Sequence, residues 1–232
     1  LTALPFPRYR HTSSSVISEQ GHVFVMGGLR EGSVYGDLWA LNSTTFDAKS
    51  IENFDGIPAP RVGHNSCLCG NAFIIFGGDT IQTNEQGELD NDLYLFNINS
   101  LKWTIPHPQG DRPCGRYGHT IGVIAKTNVQ SKLYLFGGQL DSKIFNDLWV
   151  FDLSSFRKPT SHWEKIIPSN DPNDLDNIPP PLTNHSMVIF NYKLYMFGGS
   201  NLQRLSNDLY CFDPNLNSFS RLKCTGDIPP PI

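Results

Sequence analysis

Four histidines are the residues of this chain whose type and spacing could best support chemistry. Imidazole binds metal ions and transfers protons near neutral pH, so histidines brought together by a repeated unit could form a shared metal site. Each could equally open an inner strand and bond backbone groups of the adjoining turn. We predict the structural role, and no metal or cofactor, for His11, His64, His119 and His185.

Two of the five cysteines form a second possible ligand set, Cys67-x-Cys69. A structural zinc site needs four ligands, and no second pair with metal-ligand spacing is present in the sequence. The absence of that second pair favours a structural role for both thiols. An odd number of cysteines at no fixed place in the repeat is typical of an intracellular protein with free thiols.

An internal repeat determines where these residues fall. Four apolar runs end in Gly-Gly, and each is followed, after a polar stretch, by Asp-Leu and an aromatic residue. Successive glycine pairs lie 50, 60 and 61 residues apart, which indicates an array of one structural unit. We predict that the glycines allow tight turns and that the aspartates accept from local amides or pair with an arginine of a neighbouring unit. These residues are Gly27, Gly28, Gly77, Gly78, Gly137, Gly138, Gly198 and Gly199, with Asp37, Asp92, Asp147 and Asp208.

The third repeat shows what one unit contains. Thr120 to Ala125 is rich in β-branched residues, Lys132 to Phe136 is apolar, Leu148 to Asp152 alternates with aromatics, and Trp163 to Ile167 follows a turn. No segment has a sustained helical period. The pattern predicts four short strands in each unit and an all-β propeller fold with four four-stranded blades.

The units differ at two places. The last three close on an aromatic residue, at Trp103, Trp163 and Phe219, whereas the first offers only Phe46 or Ala48 near that position. The fourth has Leu182 and Asn184 where an arginine and a glycine are expected before the histidine. We expect these two blades to be looser variants.

The repeats are predicted at about 8–52, 61–106, 116–168 and 182–224. Residues 225–232 resemble the linker that precedes each histidine strand, and the chain begins with Leu1 rather than methionine. We therefore expect a fragment of a larger propeller with six or seven blades. Four blades alone would form an open arc whose last blade is uncovered.

Loops between the second and third strands are the expected site of recognition. In an antiparallel unit they share one face with the connections between units, and they vary while the strands stay alike. They carry residues of the types that anchor protein interfaces, although such residues could also pack under their own loops. The predicted partner-binding residues are Leu29, Arg30, Tyr35, Leu140, Phe145, Leu202, Arg204 and Leu205.

Charge excludes some partners. The formal net charge is -4 and no run of lysine or arginine is present, which argues against nucleic-acid binding. No apolar stretch approaches the roughly 18 residues of a membrane helix. Protein partners are the remaining expectation.

The order Arg-x-x-His, Gly-Gly, Asp-Leu-aromatic and tryptophan resembles the kelch repeat over nearly the whole chain. The resemblance implies an interaction propeller, with two alternatives. One is a metal enzyme, either a copper oxidase or an iron-dependent specifier protein. Glu88 and Asp92 match the start of the specifier Glu-x-x-x-Asp-x-x-x-His motif, but Phe96 stands where the histidine belongs, and no copper-oxidase set is marked. The other is a ubiquitin-ligase adaptor.

Longer strings carry a closer resemblance. Phe6 to His11, Tyr35 to Asp37, Asn91 to Thr104 and Phe151 to Phe156 look like the N-terminal propeller of fungal cell-polarity kelch proteins. This similarity implies a non-enzymatic scaffold of the cytoplasm and cell cortex that acts in polarised growth, cell fusion and formin control of actin cables. It further implies formins, polarity factors or related kelch proteins as partners, location at growing tips and the bud neck, and oligomerisation through a coiled coil outside this segment.

Overall fold

The computed structural model describes residues 5–14, 17–52, 56–83, 87–127, 130–171, 173–201 and 203–231. The chain divides into two compact units, one of residues 1–107 with 114–117 and the other of residues 108–113 with 118–232. Repeats 1 and 2 lie in the first unit and the sheets of repeats 3 and 4 in the second. Predicted Leu202 lies outside the described residues.

The first unit holds two four-stranded antiparallel sheets whose strands follow chain order. The sheet of repeat 1 consists of β1 (Thr12–Ser13), β2 (His22–Arg30), β3 (Ser33–Asn42) and β4 (Ala48–Ile51). The sheet of repeat 2 consists of β5 (Asn65–Cys69), β6 (Ala72–Phe76), β7 (Leu93–Asn97) and β8 (Lys102–Thr104).

The second unit repeats this arrangement, again in antiparallel order. Repeat 3 contributes β9 (Thr120–Thr127), β10 (Gln130–Phe136), β13 (Leu148–Asp152) and β14 (Trp163–Ile166), with a small hairpin of β11 (Gln139–Leu140) and β12 (Lys143–Ile144) and a 3-10 turn at Leu153–Ser155. Repeat 4 contributes β15 (Ser186–Phe190), β16 (Lys193–Phe197), β17 (Leu209–Asp213) and β18 (Ser218–Leu222). The predicted all-β fold with four four-stranded sheets is confirmed, and each strand predicted for repeat 3 ends within two residues of its observed bounds. None of the described helical segments is long and apolar enough to cross a membrane.

Central strands that are buried on both faces build the core of each unit. In the first unit Phe24, Phe73 and Phe96 are at most 4% exposed and pack in one cluster. In the second, Phe136 and Phe212 are fully buried in the corresponding cluster. Burying one such side chain contributes about 1.5–3 kcal/mol, so facing sheets are held mainly by these rings.

Cross-strand register identifies the residue that closes each sheet. The closing aromatics lie opposite an aromatic of the third strand, with ring centroids 5.0, 5.3 and 4.8 Å apart in the pairs Phe96–Trp103, Phe151–Trp163 and Phe212–Phe219. In repeat 1 the same register pairs Leu41 with Ala48. Phe46 is 83% exposed in the preceding turn, so Ala48, and not Phe46, takes the closing position.

One face of the fourth sheet is open. Val188 and Phe190 on β15 are 61% and 63% exposed. Ile124, at the position in β9 that matches Phe190, is 4% exposed because the fourth sheet packs over it. An apolar face of the fourth sheet is therefore exposed among the described residues.

The glycine pairs join one repeat to the next. The second glycine donates its amide to a carbonyl at the start of the following repeat, in Gly28 to Arg61 (2.9 Å), Gly78 to Arg116 (2.8 Å) and Gly138 to Leu182 (2.8 Å). A Cβ on Gly27 would lie 2.8 Å from the His64 ring, and one on Gly28 would lie 2.7 Å from the His11 Cβ. Each pair therefore allows two histidine strands to approach the same turn.

Gly27→Ala tests this close approach. Gly27 has a φ of +63° and no room for a methyl group, whereas Gly32 has a φ of +79° with nothing within 4 Å. Gly32→Ala should cost only the left-handed backbone penalty of about 1–2 kcal/mol, and Gly27→Ala should cost clearly more in denaturant unfolding. Equal losses in the two variants would contradict the packing role.

Candidate functional site

The recurring histidines bond the preceding repeat. The Nε2 atom of His64 lies 3.1 Å from the carbonyl of Met26 on β2, and the Nε2 atom of His185 lies 2.8 Å from the Thr120 hydroxyl on β9. The expected bond to a backbone group is present for His64, next to the glycine pair of the preceding repeat, whereas His185 bonds a side chain. Both imidazoles cross to the neighbouring sheet. They hold repeats together.

Burial makes these histidines poor proton carriers. It lowers the pKa of His64 to about 3, with the charge of Arg61 adding to the effect, and lowers that of His185 to about 4. Both rings are therefore neutral at physiological pH. No group of three or more histidine, cysteine or acidic residues with metal-binding geometry occurs in the described ranges.

The cysteines of the candidate pair face different surroundings. Cys67 is 5% exposed, and burial raises the pKa of its thiol, while Cys69 is partly exposed. Both are free thiols. A buried, protonated thiol is unreactive, so Cys67 serves as an apolar core residue.

A buried arginine and an aspartate connect the strands of repeat 1. Arg8 donates to both carboxylate oxygens of Asp37, at 2.8 and 2.9 Å, and to the Gly27 carbonyl at 2.8 Å. Trp39 Nε1 also donates to Asp37, at 2.6 Å. Burial alone would raise the pKa of Asp37, but the hydrogen bonds from Arg8 and Trp39 outweigh it and keep that pKa below its usual value. Arg8 belongs to the same repeat, so pairing with a neighbouring unit, as predicted, is wrong here.

Repeat 2 builds the same network with a different carboxylate. Arg61 is fully buried and pairs with Asp90 at 2.6 Å, so Asp90 rather than Asp92 takes the place that Asp37 has in repeat 1. Its Nη1 donates to the Gly77 carbonyl at 2.9 Å. Tyr94 stands where repeat 1 has Trp39, and its hydroxyl donates to Asp90 at 2.7 Å. A tyrosine hydroxyl reaches further than an indole nitrogen, which places the acceptor four residues before the ring instead of two.

Repeats 3 and 4 vary the network again. Asp147 accepts from Trp149 Nε1 at 2.7 Å, as Asp37 does from its tryptophan. In repeat 4, where Leu182 replaces the arginine, Asp208 pairs with Arg221 on β18 at 2.5 Å. A carboxylate at the start of the third strand is thus paired even without the motif arginine.

The expected loop of residues 29–36 is a β-hairpin. β2 and β3 continue beyond the glycine pair, with Leu29 opposite Val34 and Arg30 opposite Ser33, and turn at Glu31 and Gly32 with φ of +50° and +79°. Two positive φ values at a two-residue turn are typical of type I′, which suits the twist of the strands. The hairpin holds the predicted contact residues on a rigid support.

The predicted partner-binding residues differ in accessibility. Arg204 and Leu205 in repeat 4 are exposed. Half-buried are Leu29, Arg30, Tyr35 and Leu140. Phe145 is 9% exposed, so its assignment as an exposed contact is wrong. Its amide donates to Gly138 and its carbonyl accepts from Leu182, and these two bonds, at 2.9 and 3.0 Å, hold the residue in the join between repeats.

Two exposed residues on this face escaped the sequence analysis. Tyr9 is 58% exposed, and Arg10, also exposed, has a φ of +55°. The signal was available, because Arg10 precedes its histidine at the place where repeats 2 and 3 have Gly63 and Gly118.

Tandem four-stranded sheets joined by histidines and glycine pairs define a propeller domain of the kelch class. Residues 63–232 match the KLHDC2/KLHL20/DRC7 Kelch-repeats domain. This chain belongs to the kelch-repeat family.

Fungal kelch proteins are among its relatives. The chain is 56% identical over 214 residues to Kelch repeat-containing protein 2 of Saccharomyces cerevisiae, an alignment that covers 90% of the chain and 24% of that protein. It is 41% identical over 209 residues to Tip elongation aberrant protein 1 of Schizosaccharomyces pombe, covering 90% and 17%, respectively. Tip elongation aberrant protein 3 of the same yeast is 27% identical over 224 residues, covering 88% and 20%. The chain therefore spans a quarter or less of these proteins.

The buried histidines predict loss of stability in mild acid. Their folded pKa values, about 3 and about 4, lie below the unfolded value of 6.5, so the unfolded state binds more protons between these limits. Stability should be complete above pH 6.5 and should fall with pH below it, by up to about 1.4 kcal/mol per pH unit for each histidine. Urea unfolding at pH 7.5 and at pH 5 measures this loss. In His64→Gln the free energy of unfolding should depend less steeply on pH, because one of the two histidines no longer contributes. Asp37 and Asp90, whose pKa values are lowered, lose their contribution only below about pH 4. Equal stability at the two pH values would contradict the prediction.

Arg61→Leu tests the buried ion pair by introducing the residue type found at position 182. It leaves Asp90 without its cation and should cost about 3–5 kcal/mol in denaturant unfolding. Adding Asp90→Asn should recover part of that loss, because no charge is then left unpaired. A single variant as stable as wild type, or a double variant less stable than the single one, would be the opposite result.

Proposed function

We propose that this chain is a non-enzymatic protein-interaction domain of a scaffold that acts in polarised cell growth. The observation that carries the proposal is the extent of its similarity: two fungal kelch proteins, one named for tip elongation, align with 90% of the chain at 56% and 41% identity. His64 and His185 use their Nε2 atoms in hydrogen bonds to Met26 and Thr120, and the Cys67 thiol is buried and protonated, which supports an interaction role over a metal-dependent one.

The proposed cellular setting is the cytoplasm and cell cortex, at growing tips and the bud neck. There the scaffold would capture formins, other polarity factors or related kelch proteins, and so influence actin cables and cell fusion. Support comes from the similarity to fungal kelch proteins, and from strings that resemble those of fungal polarity kelch proteins, such as Phe6 to His11 and Phe151 to Phe156. Nucleic acid is not a proposed partner, because the net charge is -4.

The proposed contact surface is the edge of each sheet where the second strand turns into the third. In the second unit Arg204 and Leu205 project from this edge, and Leu205 is 56% exposed. Exposed arginine beside an exposed aliphatic group is a common composition of an interface anchor. Leu29, Arg30, Tyr35 and Leu140 remain proposed contacts, with part of each side chain accessible.

A loop variant and a matched control test the proposal in the full-length protein. Arg204→Glu with Leu205→Asp alters the proposed edge, and Arg157→Glu alters an exposed arginine at the opposite edge of the sheets, in the connection between β13 and β14. Tagged proteins are expressed in budding yeast lacking the related kelch protein, imaged, and mixed with purified formin. Wild type and control should gather at growth sites and bind formin, and the loop variant should lose roughly tenfold in binding.

The same preparations reveal the opposite outcome. Wild-type protein that stays diffuse, captures no polarity factor and carries stoichiometric copper or iron would overturn the proposal. A loop variant that binds as well as wild type would leave the scaffold role in place and exclude this edge of repeat 4.

A further inference from the structure

Arg10 occupies a backbone position that costs free energy to an arginine. The residue before the histidine has positive φ in every repeat, with +55° at Arg10 and +67°, +65° and +57° at Gly63, Gly118 and Asn184. Glycine adopts this conformation freely and asparagine tolerates it, whereas a longer side chain is strained there. The fold requires only the backbone of Arg10, whose carbonyl accepts the Gly63 amide at 3.0 Å.

The side chain of Arg10 has no polar partner in the described part of the chain. It is exposed, and among the described residues its guanidinium makes no ion pair or hydrogen bond. Arg8 and Arg61, by contrast, are buried and paired with Asp37 and Asp90. A strained residue whose side chain has no internal partner indicates a role in contact with another molecule.

An apolar row begins at Tyr9, the residue before Arg10. Tyr9 pairs with Leu29 through two backbone hydrogen bonds of 3.1 and 2.8 Å, and Leu29 pairs with Val34 across the hairpin. Residues directly opposite in antiparallel strands place their side chains on the same face, about 5 Å apart. Tyr9, Leu29 and Val34 therefore form a continuous row, with Tyr9 58% exposed.

Tyr9 is the most exposed residue at its place in the repeat. Its counterparts in repeats 2 and 4, Val62 and Thr183, are 9% and 2% exposed, and the tyrosine of repeat 3, Tyr117, is partly buried. The first repeat therefore presents the most accessible side chain here, directly before the strained Arg10. Tyrosine and arginine are the types most enriched at energetic centres of protein interfaces.

We propose that Tyr9, Arg10, Leu29 and Val34 form a docking surface for an extended segment of a partner protein that carries an apolar side chain next to a carboxylate. The row of Tyr9, Leu29 and Val34 contacts the apolar group, and the guanidinium of Arg10 binds the carboxylate. Arg30 lies 3.8 Å from the carboxylate of Glu31, which partly compensates its charge. This inference rests on the proposed interaction function and specifies its ligand chemistry.

A single guanidinium beside an apolar row favours a carboxylate-bearing peptide over a polyanion. Nucleic acid needs several cations along its backbone, and the chain has a net charge of -4. A carboxylate can receive two parallel hydrogen bonds from one arginine, which fixes its orientation as well as its affinity.

Peptide selection on the full-length protein tests the ligand class. A phage-displayed library of random peptides is panned against wild type, and we expect enrichment of aspartate or glutamate within two positions of an aliphatic or aromatic residue. Enrichment of basic peptides, or of none, would overturn the proposal.

Substitution of Arg10 separates binding from folding. Arg10→Gly removes the cation and relieves the backbone, so the best peptide should bind about tenfold or more weakly by fluorescence polarisation while the melting temperature stays equal or rises. Arg10→Asn, which copies Asn184, should behave in the same way, and Arg10→Lys should keep most of the affinity. Tyr9→Ala should also weaken binding, and Arg157→Gly, the control, should not.

Two results would overturn the assignment. In one, the peptide binds Arg10→Gly as tightly as wild type. In the other, both Arg10→Gly and Arg10→Asn lower the melting temperature, which would make Arg10 a structural residue. If formin capture at the cell cortex persists in either case, only this surface fails. If that capture is absent in wild type as well, the interaction function itself fails.

Discussion

The approach of a histidine strand to a glycine pair is the constraint on which the other features of each unit depend. The second glycine of a pair contacts the histidine of its own repeat, and the first contacts the ring of the next one, as Gly28 does with His11 and Gly27 with His64. A β-carbon at either glycine would push two strands apart. Because this distance is fixed, the hydrogen bond from Gly28 to Arg61 can form, and the large apolar side chains of facing sheets meet at contact distance.

The ion pairs show that the fold needs a paired carboxylate near the start of the third strand, but not one particular arginine. A carboxylate near the start of the third strand must be neutralised, and a tryptophan or tyrosine of that strand can donate to it. Asp37 and Asp90 meet this need with Arg8 and Arg61, whereas Asp208 uses Arg221 from the outer strand. The backbone hydrogen bond between repeats does not depend on having arginine at this position. The Leu182 carbonyl accepts from Gly138 just as the Arg61 carbonyl accepts from Gly28. Leu182 therefore does not loosen this join.

Local pattern was sufficient to predict the strands, because Gly-Gly and alternating apolar residues report the backbone directly. It was insufficient where two side chains compete for one role. Asp90 and Asp92 both precede the third strand, and only the reach of the Tyr94 hydroxyl selects the first. The burial of Phe145 follows from two backbone bonds to residues 138 and 182, which no local window contains. Leu29 and Arg30 follow the glycine pair and were therefore predicted to lie in a loop. They belong to the strands instead, because the turn is confined to two residues.

The small closing residue of repeat 1 has a consequence for how this unit opens. In repeat 2 the outer strand is fastened by Trp103 against Phe96, whereas β4 has only Ala48 opposite Leu41. Little apolar area is lost when β4 separates from β3, so fluctuations that expose its amides require less free energy than opening of the inner strands. The edge of repeat 1 is accordingly where amide exchange and proteolytic cleavage would begin, while the strands fastened by histidine and glycine remain closed.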